Sequence, residues 1–574
     1  MWICNYIYIY SPRDTLSSWS WEPYIIHPSV VLQGAESKRP SVTTKYGKLH
    51  GITMPVKTDR TVHAFYGVPY AKSPVGSLRF AAPELPEGWD SVREAADHPP
   101  MCLQSLELLE KTHKLFGAWA KMNLPPFSED CLYLNIYTPA DKEKQTRLPV
   151  MVFIHGGALL MGGAAFYDGS ALSTYEHVVF VAIQYRLGIL GFLSTCDGQA
   201  TGNYGFLDQV AALQWIQENI ADFGGDPNSV TIFGESAGAV SVSALMASPL
   251  CKGLFHGAIM ESGVTLIPGV IVNKTEDLLH FKDLVATISG CDSISLVKCL
   301  KKKTSDEILS VMSHMTLPNL PVCVDGVFLT KTPEDILSTK QIHNVPLIIG
   351  VNDQEFGWLL PMLLNASDIL EEMDKETVQA TLRNFPHLGI TTHMIPSLLD
   401  EYFGDTDDPA ELRNRFLDLF GDVSMVIPSL RAARYHRDSG YSVFFYEFQH
   451  RPSILKDLRP DFVKSDHADE LMFVFGGPFL SDGTFFSLGD VSNEEKALSK
   501  TVMKYWANFA RNGDPNGPGL VHWPHFDHEE SYLKINVKPQ SAKNLREGKA
   551  LFWTKVLSDK IQKRLREKRH HTEL

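Results

Sequence analysis

Val230-Thr-Ile-Phe233 runs directly into Gly234-Glu-Ser-Ala-Gly238 and then into the apolar, small-residue segment 239–246. A continuous apolar run reads as a strand buried on both faces, and the segment 239–246 reads as a helix. A strand that turns at once into a helix forces the residue at the bend, Ser236, into a tight conformation with its hydroxyl projecting outward. The glycines on either side let strand and helix approach. The helix N-terminus also aims unpaired N–H groups at the same point, which favours an oxyanion there. This context makes Ser236 a candidate nucleophile.

Working outward, Pro149-Val-Met-Val-Phe-Ile154, Val178-Val-Phe-Val-Ala-Ile183, Ala258-Ile-Met260 and Pro346-Leu-Ile-Ile349 are further apolar runs bounded by Gly, Pro or Asp. They belong in the middle of a mostly parallel sheet. The segment 208–219 puts Val210, Leu213, Trp215 and Ile216 on roughly one helical face and is read as a crossover helix. Residues 276–321 and 359–434 turn to irregular amphipathic helices, too long for simple loops, and are read as insertions that cover a site. Strand character returns at 441–448 and 532–537, and 547–568 reads as a basic helix. The fold class is α/β.

A tetrahedral oxyanion needs donors from a second loop. His155-Gly156-Gly157-Ala158 follows the strand ending at Ile154, so the amides of Gly157 and Ala158, with that of Ala237, are expected to converge on it. His155, preceding the turn, is read as structural.

Composition bounds the partners. The chain has 574 residues, of which 44% are hydrophobic and 21% charged, with a net charge of −14. That is enough apolar surface for a large core, and the wrong sign for nucleic acid or anionic lipid. No apolar stretch spans a bilayer; the best, 258–272, is short and carries Glu261. Of eight cysteines, Cys102 with Cys131 and Cys291 with Cys299 each enclose a short loop of the kind a disulfide closes. Cys4, Cys196, Cys251 and Cys323 are left as thiols. Asn273 and Asn365 open glycosylation sequons. His571-Thr572-Glu573-Leu574 has the form of an endoplasmic reticulum retrieval signal, whose partner is the retrieval receptor. Residues 1–10 make a poor signal peptide, lacking a basic start, an apolar run of ordinary length and a cleavage site. The expected organisation is a non-core segment 1–40 from a misassigned or alternative start, one folded domain 41–570, and the tail 571–574.

Glu129-Asp-Cys-Leu-Tyr-Leu-Asn135, Phe223-Gly-Gly-Asp-Pro227 and Gly234-Glu-Ser-Ala-Gly238, in that order, resemble the type-B carboxylesterase and cholinesterase family of α/β-hydrolases. Phe255-His-Gly-Ala-Ile-Met-Glu-Ser-Gly263, Val351-Asn-Asp-Gln-Glu-Phe-Gly-Trp358, Lys504-Tyr-Trp-Ala-Asn-Phe-Ala510 and the terminal tetrapeptide most resemble its mammalian type-2 and avian medium-chain fatty acyl-CoA hydrolase branches. The resemblance implies an α/β-hydrolase fold, a central sheet with helical insertions over the site, and a triad in the chain order Ser236, Glu355, His467. Asp353 is the rival acid. Glu235 is read as tuning the local field. Asp466, His467, Asp469 and Glu470 also admit a metal reading, set aside because ligands of fixed geometry would be needed from elsewhere. His256, His436 and His450 are read as surface or structural groups. Trp119 lies in the loop where cholinesterases carry their choline-binding tryptophan, but its flanks do not match that motif. Many relatives have a third glycine where this chain has Ala158, whose methyl trims the acyl pocket. The implied activity is cofactor-free and metal-free hydrolysis of carboxylic esters in the endoplasmic reticulum lumen, with amides and acyl-CoA thioesters as further substrates. A non-catalytic adhesion protein of the same fold and an interface-acting lipase are the alternatives.

Overall fold

A computed structural model describes residues 39–563, apart from 58–59, 116–123, 141–146, 315–321, 364–372 and 385–387. The expectations for residues 1–38, Trp119, Asn365 and the tail 571–574 lie outside the described residues. The central sheet has eleven strands: β1 (Ile52–Val56), β2 (Arg60–Pro69), β3 (Tyr133–Pro139), β4 (Leu148–Ile154), β5 (Val179–Ile183), β6 (Gly225–Glu235), β7 (Gly257–Glu261), β8 (Leu347–Asn352), β9 (Val443–Phe448), β10 (Ser531–Ile535) and β11 (Gln540–Lys543). Their spatial order is β1-β2-β3-β5-β4-β6-β7-β8-β9-β10-β11. Strands β4 to β10 pair in parallel, and the pairings β1–β2, β2–β3, β3–β5 and β10–β11 are antiparallel.

The apolar runs are buried on both faces for a visible reason. Along β4, Val150, Val152 and Ile154 enter the core on one side of the sheet while Met151 and Phe153 enter the core on the other. Alternating side chains of a pleated strand face opposite ways, so a strand covered on both sides must be apolar throughout. Helices supply the cover: α1 (Leu106–Leu115), α2 (Tyr204–Asn219), α3 (Ala237–Ala247), α4 (Thr275–Ser289), α5 (Leu359–Leu363), α6 (Pro409–Gly421), α7 (Ile427–Asp438) and α8 (Asn493–Asn512).

The crossover helix α2 begins at Tyr204, earlier than expected, and is buried beyond one face. Asp208 and Gln209 are inside as well. Asp208 pairs with Arg186 at 2.6 Å and the Gln209 side-chain Nε2 donates to the Ser241 hydroxyl at 3.1 Å, which offsets the cost of burying these groups. The two long insertions are helical, containing α4 in the first and α5 to α7 in the second. The C-terminal helix is not uniform: Glu547–Leu551 passes through a π-helical turn, Phe552–Val556, and its basic end falls outside the described residues. Cys102 is bonded to Cys131 and Cys291 to Cys299. The described residues from Pro40 onward form one compact unit. Among the described residues, no helix is long and apolar enough to cross a membrane.

Candidate active site

Ligand sites in parallel sheets gather beyond the carboxyl ends of the strands, and Gly157, Ala158, Ser236, Ala237 and Glu355 each follow such an end. Ser236 follows β6 with φ 55° and ψ −123°, a left-handed, strained conformation for a residue with a side chain. Two features hold the bend. The Ser236 amide donates to Glu261 O on the neighbouring strand at 2.9 Å. A Cβ on Gly238 would lie 2.0 Å from Ile154 O, so only glycine lets α3 pack this close to β4. All eleven residues of α3 are buried, which explains its run of alanine, serine and valine.

The loop after β4 turns back over Ser236. Gly157 (φ 95°) and Ala158 (φ 54°) are both left-handed, and a Cβ on Gly157 would meet Met161 O at 2.3 Å. Among the described residues, none accepts a hydrogen bond from the amides of Gly157, Ala158 or Ala237. His155 is buried against Tyr185, with ring centroids 4.4 Å apart, and its carbonyl accepts from the Tyr185 hydroxyl at 2.7 Å. Burial lowers its pKa to about 4, so it stays neutral and serves the turn.

Glu355 is 1% exposed beyond β8. Its Oε2 lies 2.7 Å from His467 Nδ1, and its Oε1 accepts from the Ser262 hydroxyl and the Asn352 amide, each at 2.6 Å. Asp353 faces Lys464 at 3.7 Å instead. The loop carrying His467 is clamped by its acidic neighbours. Asp466 accepts from the amides of Gly357, Trp358 and Leu359, and Asp469 receives Arg459 at 2.8 Å. These carboxylates are committed to holding two loops in register.

The other face of the imidazole differs from the sequence reading. Glu235 does more than set a field: its Oε1 stands 3.0 Å from His467 Nε2. Burial would lower the His467 pKa, but the Glu235 and Glu355 carboxylates outweigh it and lift it to about 10. Burial in turn pushes Glu235 up to about 7, with His467 pulling the other way and Glu355 adding to the rise. Behind this pair lie Glu261, which accepts from Trp506 Nε1 at 3.0 Å, and Glu470, which accepts from the Asn352 side-chain amide at 2.6 Å. Burial pushes Glu261 up to about 8 and Glu470 well above the usual carboxylate range.

Ser262, Asn352, Glu261 and Trp506 are not site residues in the sequence reading, and Glu470 enters it only as part of the metal alternative. The available signal was position: Glu261 ends β7 and Ser262 follows it, beside the strand that leads into Ser236, where site groups collect. His436 is buried, His256 exposed, and His450 contacts Glu495 at 3.1 Å. The sequon residue Asn273 is exposed between Ile271–Val272 and α4.

Ser236 and His467 open on one cavity of about 110 Å³, lined by Met161, Phe166, Leu359, Leu471 and Phe486 among others, including Leu109 of α1 and Leu360 of α5. A larger cavity of about 650 Å³ lies beside α7, lined by Arg431, Arg434, Tyr435 and Asp438 among others, away from Ser236 and His467. A strained serine, an acid-held imidazole and uncommitted amides around one apolar space can perform acyl transfer. The model of the carboxylesterase family matches residues 38–553. The chain belongs to the carboxylesterase family. Carboxylesterase 1D of Rattus norvegicus is 49% identical over 91% of this chain and 94% of its own length. Cocaine esterase of Homo sapiens is 48% identical over 94% and 96%. The medium-chain fatty acyl-CoA hydrolase precursor of Anas platyrhynchos is 47% identical over 95% and 97%. This carboxylesterase is an α/β-hydrolase and a carboxylic ester hydrolase of the serine type; no support for a non-catalytic binding role comes from these relatives.

Proposed function

We propose that Ser236 is the acylated residue of this esterase, His467 its general base and acid, and Glu355 the group that orients the imidazole. The observation that carries the reading is the 2.7 Å contact between His467 Nδ1 and Glu355 Oε2 in the cavity that Ser236 enters. The imidazole exchanges its Nε2 contact with Glu235 for the Ser236 hydroxyl and takes that proton as Oγ attacks the ester carbonyl. The amides of Gly157, Ala158 and Ala237 hold the developing oxyanion. His467 then protonates the departing alcohol, and a water repeats the cycle on the acyl-enzyme. Ser262 and the Asn352 amide keep Glu355 fixed throughout.

The apolar lining supports uncharged ester substrates. Relatives named for hydrolysis of cocaine and of fatty acyl-CoA extend the candidate range to bulky esters and thioesters. Two disulfides, the exposed sequon at Asn273 and the terminal His571-Thr572-Glu573-Leu574 support residence in the endoplasmic reticulum lumen, with the retrieval receptor as partner. Asn365 is the second glycosylation candidate, and 41–570 is the catalytic domain, with 1–40 outside it. Steady-state hydrolysis of a short-chain nitrophenyl ester by the chain from Ser41 onward, produced behind a borrowed signal peptide, tests the catalytic assignment. Turnover abolished by Ser236→Ala is the expected result; equal rates from both folded proteins would overturn it.

A further inference from the structure

The side chains able to make strong hydrogen bonds in the wall of the Ser236 cavity are those of Thr112, Tyr167, Glu235, Ser236 and His467. All but one are engaged. Glu235 and His467 face each other at 3.0 Å, Ser236 is the proposed nucleophile, and the Thr112 hydroxyl donates to Leu108 O at 2.9 Å. Tyr167 is left over. Its ring is wedged between phenylalanines, with centroids 4.4 Å from Phe153, 5.5 Å from Phe475 and 5.6 Å from Phe486. The backbone is held on both sides of it: the Tyr167 amide donates to Ala164 O at 3.3 Å, and Asp168 Oδ1 accepts from the Ser170 amide at 2.8 Å. Packed in this way, the residue is only 8% exposed. A buried phenol normally has a hydrogen-bond partner. Among the described residues, none bonds the Tyr167 hydroxyl, yet its oxygen is not one of those sealed from solvent. A ring enclosed by aromatic carbon, whose oxygen is neither bonded nor sealed, presents that oxygen to the cavity it lines. Burial raises the phenol pKa well above its ordinary value, and Glu235 and Tyr185 add to the rise, so the group keeps its proton and is a donor.

We propose that Tyr167 is a specificity-determining residue of this esterase, its phenolic O–H donating to a second, uncharged oxygen of the substrate, so that esters with an ether, carbonyl or hydroxyl oxygen near the scissile group are favoured over all-carbon counterparts. The inference rests on Ser236 being the acylated residue and names the substrate class of that site. Apolar walls separate chains of equal shape poorly, whereas a fixed polar group in such a wall orients a ligand and selects for a matching atom. An alkyl chain in this cavity leaves the Tyr167 donor without an acceptor, which costs its desolvation. An oxygen at the same place in the chain removes that cost. A carboxylate is a poorer occupant than a neutral oxygen, because Glu235 stands in the same wall and repels it.

The test compares esters matched in shape. Nitrophenyl methoxyacetate and nitrophenyl butyrate differ by one atom of the acyl chain, and methoxyethyl acetate and butyl acetate by one atom of the alcohol. For each pair, the kcat/KM of the oxygen member over that of the carbon member is divided by the same ratio for alkaline hydrolysis, which removes intrinsic reactivity. The wild-type quotient should exceed one in at least one pair, and Tyr167→Phe, which keeps the ring contacts, should lower that quotient by roughly 3- to 10-fold. Wild-type quotients at or below one in both pairs, or a quotient that Tyr167→Phe leaves unchanged, would overturn the proposal. Should Tyr167→Phe fail to fold, the wild-type quotients still decide it. Ser236→Ala, run beside these, separates the two possible failures. Turnover lost in Ser236→Ala with the Tyr167→Phe quotient unchanged removes the specificity role alone, whereas turnover that survives in Ser236→Ala removes the catalytic assignment beneath it.

Discussion

His467 has Glu355 on Nδ1 and Glu235 on Nε2, and in the proposed mechanism the second contact controls when the imidazole is able to accept a proton. Both carboxylates favour the charged ring, so the proposed mechanism requires the pH to rise far enough to free it. Replacing Glu235 by glutamine removes one favourable interaction with the imidazolium and lowers the His467 pKa. The acidic limb of kcat/KM for Glu235→Gln should therefore move to lower pH by about one unit or more; an unmoved or upward-shifted limb would contradict the coupling. Ser262 holds the far oxygen of Glu355. Loss of a hydrogen bond to a charged group is worth about 1.5–3 kcal/mol. Ser262→Ala should lower kcat by roughly tenfold or more with KM little changed. That Ser236, Glu355 and His467 come together was legible because motifs and chain order mark them. The Glu235–His467 contact was not, because it joins loops 232 positions apart and depends on which way an imidazole faces.

The element that carries the site is the β6–α3 bend, and its glycines are steric requirements. A methyl on Gly238 would meet the Ile154 carbonyl at 2.0 Å, and a backbone atom in the middle of a sheet has little room to yield. Gly238→Ala should cost about 3 kcal/mol and lower the thermal midpoint, measured by circular dichroism, together with activity. A stable, active variant would show that the bend tolerates a wider approach. The parallel strands β4 to β8 were readable because burial on both faces leaves only apolar side chains. Strands β1 and β2 were not read as strands: β1 is alternately half-exposed, contains Pro55 and pairs at the edge, where the pattern is weak. The start of α2 was missed because Tyr204 to Phe206 lie inside a helix buried on several sides, which carries no amphipathic stripe to mark its beginning.

For the whole molecule, length alone suggests about four domains, whereas one eleven-stranded sheet organises the chain from β1 to β11. Buried ion pairs help hold so large a body in one arrangement. Arg186 and Asp208 are 3% and 0% exposed in their side chains, so removing one partner strands a charge in the interior. Asp208→Ala should destabilise the fold by about 3–5 kcal/mol in chemical denaturation; a change below about 1 kcal/mol would mean that water reaches Arg186. The apolar cavity over Ser236 predicts faster hydrolysis of neutral esters than of charged analogues of similar size. The sharpest measurement of the account is covalent: reaction of the enzyme with a fluorophosphonate ester, followed by peptide mass spectrometry and residual activity. One phosphonyl group per chain is expected, on Ser236, with activity lost in proportion to labelling and no labelling of Ser236→Ala. Full activity after stoichiometric labelling of Ser236, or inactivation through a different residue, would contradict it.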